Sequence, residues 1–179
     1  MRIETTTIEK LMITNINDLD PVAVYLEDQG EGKGKITITC YGKAWTAFWG
    51  SMGCNVREFI ISCDNGYLLR KLDHRVERDV MAYDQTASHV RRLIIEQRRA
   101  RSITKRLARE YWEKTEAMED VSCKEDIREY AGDLQEIAGP FWYDGFPTEE
   151  NDEYYHLNKI VTAVKDALIL PLEQAGEVA

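Results

Sequence analysis

Residues 22–40 read VAVYLEDQGEGKGKITITC. Val22, Val24 and Leu26 alternate with Ala23, Tyr25 and Glu27, and Ile36, Ile38 and Cys40 alternate with Thr37, Thr39 and Tyr41. A period of two puts the aliphatic set on one side of an extended chain and the polar set on the other. The run Gly30-Glu31-Gly32-Lys33-Gly34 between them reads as the turn of an antiparallel hairpin. A further run from Ala44 to Trp49 extends the sheet until Gly50-Ser51-Met52-Gly53 stops it, and Thr5 to Ile16 is strand-like up to the break at Asp20-Pro21. The expectation is a small N-terminal antiparallel sheet of about three strands.

Beyond the sheet the period changes to that of helices. Asn55 followed by Glu58 is a capping-box variant, with Val56, Phe59, Ile60 and Cys63 at helical spacing behind it, so a helix starts near Val56 and runs toward Leu72, with a break available at Asn65-Gly66. Further helices are expected from Ser88 to Met118, from Lys124 to Ala138 with Ile127, Tyr130, Leu134 and Ile137 inward, and finally through Leu157, Ile160, Val161, Val164 and Leu168 up to Pro171. The reading is an α+β protein with a mainly helical C-terminal half. At 179 residues it suits one domain, with residues 1–72 forming sheet plus helix and 86–179 the helical part.

Charge is unevenly spread. The net charge is −9, yet residues 91–109 hold eight bases against the single acid Glu96, and residues 110–179 carry −13. At 100° per residue, Leu93, Ala100, Ile103, Leu107 and Tyr111 fall on one side of a helix. Arg91, Arg92, Arg98, Arg99, Lys105, Arg106 and Arg109 fall on the other, with Arg101 at the flank. The segment is one basic amphipathic helix or two helices bent near Arg101-Ser102. Three explanations stay open: pairing with the acidic region that follows, docking of an acidic protein, or contact with nucleic-acid phosphates. A second partner-binding candidate is the acidic aromatic stretch with Trp142, Asp144, Glu149, Glu150, Asp152 and Glu153, whose carboxylates and rings could dock a basic groove.

Signals of catalysis are weak. The glycine loop is not a phosphate-binding P-loop, because Lys35 leads into a strand rather than into Ser or Thr at a helix start. Glu31-x-Lys33, with Asp18 or Asp20, resembles the acidic-x-lysine element of metal-dependent nucleases, but a turn holds catalytic groups poorly. Asp73-His74, His89 and His156 read as turn, capping or packing residues. Tyr41, Trp45 and Trp49 share parity with Thr37 and Thr39 and could form an aromatic track, although packing against a helix is favoured. The four cysteines form no C-x-x-C pair, and metal-ligand spacing is absent, so no metal or cofactor is expected. No stretch has the pattern of an export signal or a membrane span, so a cytoplasmic location is expected.

The segment LDPVAVYLEDQGEGKGKITITCYGKAWTAFWGSMGC, residues 19–54, resembles small accessory proteins of temperate phages and prophages. That resemblance implies no catalytic residue. It implies a non-enzymatic protein that binds a host or defence protein and inhibits or regulates it, in the manner of anti-CRISPR proteins. The alternatives are a nucleic-acid-binding regulator using residues 91–109 and, third, a metal-dependent nuclease. Homo-oligomerisation is left open.

Overall fold

Val22, Val24 and Leu26 lie directly opposite Cys40, Ile38 and Ile36, and all six side chains are buried. A computed structural model describes residue 3 and residues 8–170 of the chain. The hairpin forms β2 (Val22–Gly30) and β3 (Lys33–Cys40), flanked by β1 (Glu9–Ile13) and β4 (Lys43–Trp49) in a four-stranded antiparallel sheet of order β1-β2-β3-β4. The sheet thus has one strand more than expected. Of the stretch Thr5 to Ile16, residues 5–7 lie outside the described residues.

One face of this sheet is covered by α1 (Val56–Ser62), α2 (Asn65–Leu72) and α7 (Asp152–Ile169). Asn55 caps α1 by accepting the Glu58 amide at 2.9 Å, and Asp64 caps α2 by accepting the Tyr67 amide at 2.8 Å. All five apolar positions read from the last helix, Leu157, Ile160, Val161, Val164 and Leu168, are buried in this core. The Pro171 expected to end that helix lies outside the described residues.

Gly34 explains how α1 comes so close to the sheet. A Cβ built on Gly34 would stand 2.8 Å from Val56 Cβ and 3.0 Å from the Glu27 carbonyl oxygen, so the position excludes any side chain. Gly34→Ala is expected to destabilise the sheet unit by about 1–3 kcal/mol, the usual cost of overpacking a filled core. A urea titration following tryptophan fluorescence measures it, and an unchanged midpoint would refute the close approach.

The chain divides into two compact units. The sheet unit comprises residues 1–78 and 151–179, and a helical unit, residues 79–150, is inserted between them. The reason is that α7 returns to the sheet rather than joining the other helices. The helical unit contains β5 (Asp79–Met81), α3 (Thr86–Arg99), α4 (Lys105–Lys114), α5 (Lys124–Glu129), α6 (Ala131–Ala138) and β6 (Thr148–Glu150). Its two ends pair as the antiparallel ribbon β5–β6, and its own core is built on Val90, Ile94, Tyr111, Met118, Leu134 and Phe146. The helix expected over 124–138 is interrupted at Tyr130, while its Ile127, Leu134 and Ile137 are buried as read.

His89 is buried in the helical unit, 5.1 Å from the Phe146 ring, with its Nδ1 3.0 Å from Arg92 Nη2. A guanidinium can only donate, so Nδ1 accepts and the imidazole is neutral. Burial first, then the positive charge of Arg92, push its pKa below the ordinary histidine value, against a smaller opposing effect of Glu96. The folded state therefore binds fewer protons than the unfolded chain below that ordinary value. Stability contributed by neutral His89 is complete above about pH 6.5 and is lost as pH falls toward the lowered folded pKa. Urea midpoints at pH 7.5 and 5.5 should separate in the wild type and converge in His89→Phe. Equal separation in both would refute the assignment.

Candidate functional site: the basic groove between α3 and α4

The basic segment folds as two helices. Gln97 and Arg98 carbonyls accept the Ser102 and Arg101 amides, Arg101 adopts a left-handed φ of 59°, and Thr104 then caps α4 by accepting the Leu107 amide at 3.2 Å. This turn breaks the helical phase. Ala100 is exposed rather than part of an apolar stripe, and Ile94 takes the core position in α3 instead. The seven bases read onto one helix face are correspondingly divided.

Three of them are engaged locally. Arg91 turns inward, donating from Nε to Thr115 Oγ1 at 2.8 Å and from Nη2 to Glu119 Oε1 at 2.6 Å, while its guanidinium stacks 5.3 Å above the Trp112 ring. Arg92 donates to His89, and Arg106 pairs with Glu110 one turn along α4 at 2.9 Å. The side chains of Arg98, Arg99, Lys105 and Arg109 are exposed and have no hydrogen bond or ion pair among the described residues, and that of Arg101 in the turn is in the same state. Other acids of the region 110–179 pair elsewhere. Lys114 donates to Asp133 at 2.7 Å and to Glu136 at 2.6 Å, and these hydrogen bonds hold its ammonium well above the usual lysine range.

Between α3 and α4 lies an open groove of about 280 Å³. Ile94, Ile95, Ala108 and Trp112 form its apolar lining, and Arg98, Lys105 and Arg109 border it. Ile95 and Trp112 are each 40% exposed. The bases were legible in the sequence; the groove was not, because it arises from packing two helices whose relative phase is set by the turn.

The second candidate is divided between the two units. Trp142 is half-buried in the helical unit, edge-on to Tyr143 and Phe146, and Asp144, Glu149 and Glu150 are exposed in the same unit. Asp152 and Glu153 open α7 in the sheet unit, where Glu153 accepts from Lys43 at 2.9 Å. Trp45 and Trp49 pack in the core beside the helices, the reading favoured from the sequence, although their parity with Thr37 and Thr39 does not hold. The turn Tyr41-Gly42, with φ of 45° and 77°, resets the alternation, so that Trp45 lies opposite Ile38 on the core face and Trp49 donates to the Tyr67 hydroxyl at 2.8 Å. Only Tyr41 is left outside, at the turn.

Other chemistry is sparse. Glu31 stands at the hairpin tip, with φ 51°, and accepts from Lys33 at 3.4 Å. No group of three or more His, Cys, Asp or Glu residues is arranged to hold a metal ion among the described residues. Burial pushes the Cys40 and Cys63 thiols up, away from thiolate reactivity. His74 and His156, from either side of the insert, share an open cleft of about 780 Å³ in the sheet unit with Lys43, Arg75, Asp152 and Glu153. Sequence reading missed that meeting, and nothing in the local pattern could have signalled it.

A protein-family profile, Phage_phiTE_072, described as a phage family, matches residues 1–169. The chain belongs to this phage family. The likeness read from residues 19–54 therefore extends through both units. No curated protein matches the chain, and no solved structure matches it. Among the described residues of this phage-family protein, no helix is long and apolar enough to cross a membrane.

Proposed function

We propose that this phage-family protein is a non-enzymatic binding protein that uses the α3–α4 surface to engage an acidic surface of a host or defence protein, inhibiting or regulating it by occlusion. The observation that carries the reading is the set Arg98, Arg99, Lys105 and Arg109, clustered and exposed without an acidic partner among the described residues. Like charges so placed repel one another and disfavour the bare helices. An acidic partner removes that repulsion and gains steered association. Among the described residues, the acids of the −13 region pair with Lys43, Arg91, Arg106 and Lys114 rather than with these four bases.

Nucleic acid is the second reading, because five exposed bases around one turn would also suit a phosphate backbone. Immobilised protein exposed to bacterial lysate, with and without nuclease, separates the two. A protein retained in both conditions and released by Glu substitutions at the four bases supports the proposal. Retention that disappears with nuclease favours the nucleic-acid reading, and retention unaffected by charge reversal refutes both.

A further inference from the structure

The α3–α4 groove offers more than charge. Its lining is almost wholly apolar, its cations stand only at the border, and Ile95 and Trp112 are exposed on facing helices. Water over such a floor is released when an apolar group covers it, and surrounding charges orient the arriving chain without occupying the floor. Trp112 is also held in advance, because Arg91 stacks on its ring while itself bonded to Thr115 and Glu119. Little conformational freedom remains to be lost there on binding.

We infer that the groove receives a bulky apolar side chain carried on an acidic amphipathic helical segment of the partner protein, with carboxylates meeting Arg98 on one side and Lys105 and Arg109 on the other. This rests on the proposed function and specifies the chemistry of its partner. At about 280 Å³ the open groove falls just below the roughly 300–1,000 Å³ of pockets that enclose drug-sized ligands. Those dimensions match one anchoring side chain of a docked helix. A phosphate backbone would engage the cations and leave Ile95 and Trp112 in water, which is why a protein segment is preferred.

The test uses the full chain and fluorescently labelled synthetic probes. These are a glutamate-rich helical peptide with Phe and Leu anchors at helical spacing, the same peptide with the anchors replaced by serine, and a DNA duplex of equal length. The anchored peptide should bind at least tenfold tighter than its serine counterpart. Ile95→Asp should abolish that preference while leaving weak, salt-sensitive binding of both peptides. Equal binding of the two peptides by the wild type would overturn the anchor inference and leave the charge-based proposal standing. So would an unchanged preference in Ile95→Asp, or tighter binding of the duplex than of the anchored peptide; absence of binding by any probe also overturns it. Concentration-dependent self-association, measured by sedimentation and lost in Ile95→Asp, would instead name a second copy as the occupant. Circular dichroism of the variant confirms that the exposed substitution leaves the fold intact.

Discussion

Replacing Arg98, Lys105 and Arg109 together by glutamate is expected to weaken binding of the captured partner about 100-fold at moderate salt. Each base is exposed, so one pair contributes only roughly 0.2–1 kcal/mol. Reversal counts each site twice, once for attraction lost and once for repulsion gained. Six contributions of about 0.5 kcal/mol total roughly 3 kcal/mol, or two powers of ten in the dissociation constant. The difference should fall mainly in the association rate and shrink as salt shortens the screening length. Surface plasmon resonance at several salt concentrations would show this. A loss confined to dissociation and indifferent to salt would mean that the bases are buried by the partner rather than steering it.

Removing the helical unit should leave the sheet unit folded, whereas ending the chain at Glu150 should unfold it. The Asn151 amide donates to the Arg78 carbonyl at 3.0 Å, so a short Gly-Ser turn can join these residues directly. Ending at Glu150 removes α7 and with it Leu157, Ile160, Val161, Val164 and Leu168 from the core. At about 1.5–3 kcal/mol for each buried aliphatic side chain, that loss is on the order of 7–15 kcal/mol, comparable with the whole stability of a domain. Circular dichroism and urea unfolding of the two chains would distinguish them. A transition in the shortened chain larger than that of the helical unit alone, or none in the joined chain, would show that the division into units is wrong. The joined chain should also lose all binding that depends on the α3–α4 groove.

The elements legible in the sequence were those governed by one uninterrupted period. The β2–β3 hairpin and the α7 stripe have no phase break, and their inward residues are the ones read. Legibility failed at turns. Two residues at Tyr41-Gly42 exchanged the faces assigned to Trp45 and Trp49, and the bend near Arg101-Ser102, legible as one of two alternatives, shifted the phase of the bases beyond it in a way the sequence does not encode. Charge was visible as composition, but which charges lack partners depends on contacts such as Lys114 with Asp133 and Glu136, which no local pattern encodes. The groove and the cleft holding His74 and His156 share that origin, since each is assembled from residues on separate elements.

The placement of α7 also sets an order of events at the ribosome. β1 to α2 are synthesised by residue 72, but the helix that completes their core ends only at residue 169. At about 5–20 residues per second, the nascent sheet waits roughly 5–20 s for its closing helix. The inserted helical unit is complete by residue 150 and can fold during that interval. Translation therefore produces the basic segment before the sheet unit has all of its core, and the uncovered β2–β3 face is the segment that an early-acting chaperone would meet.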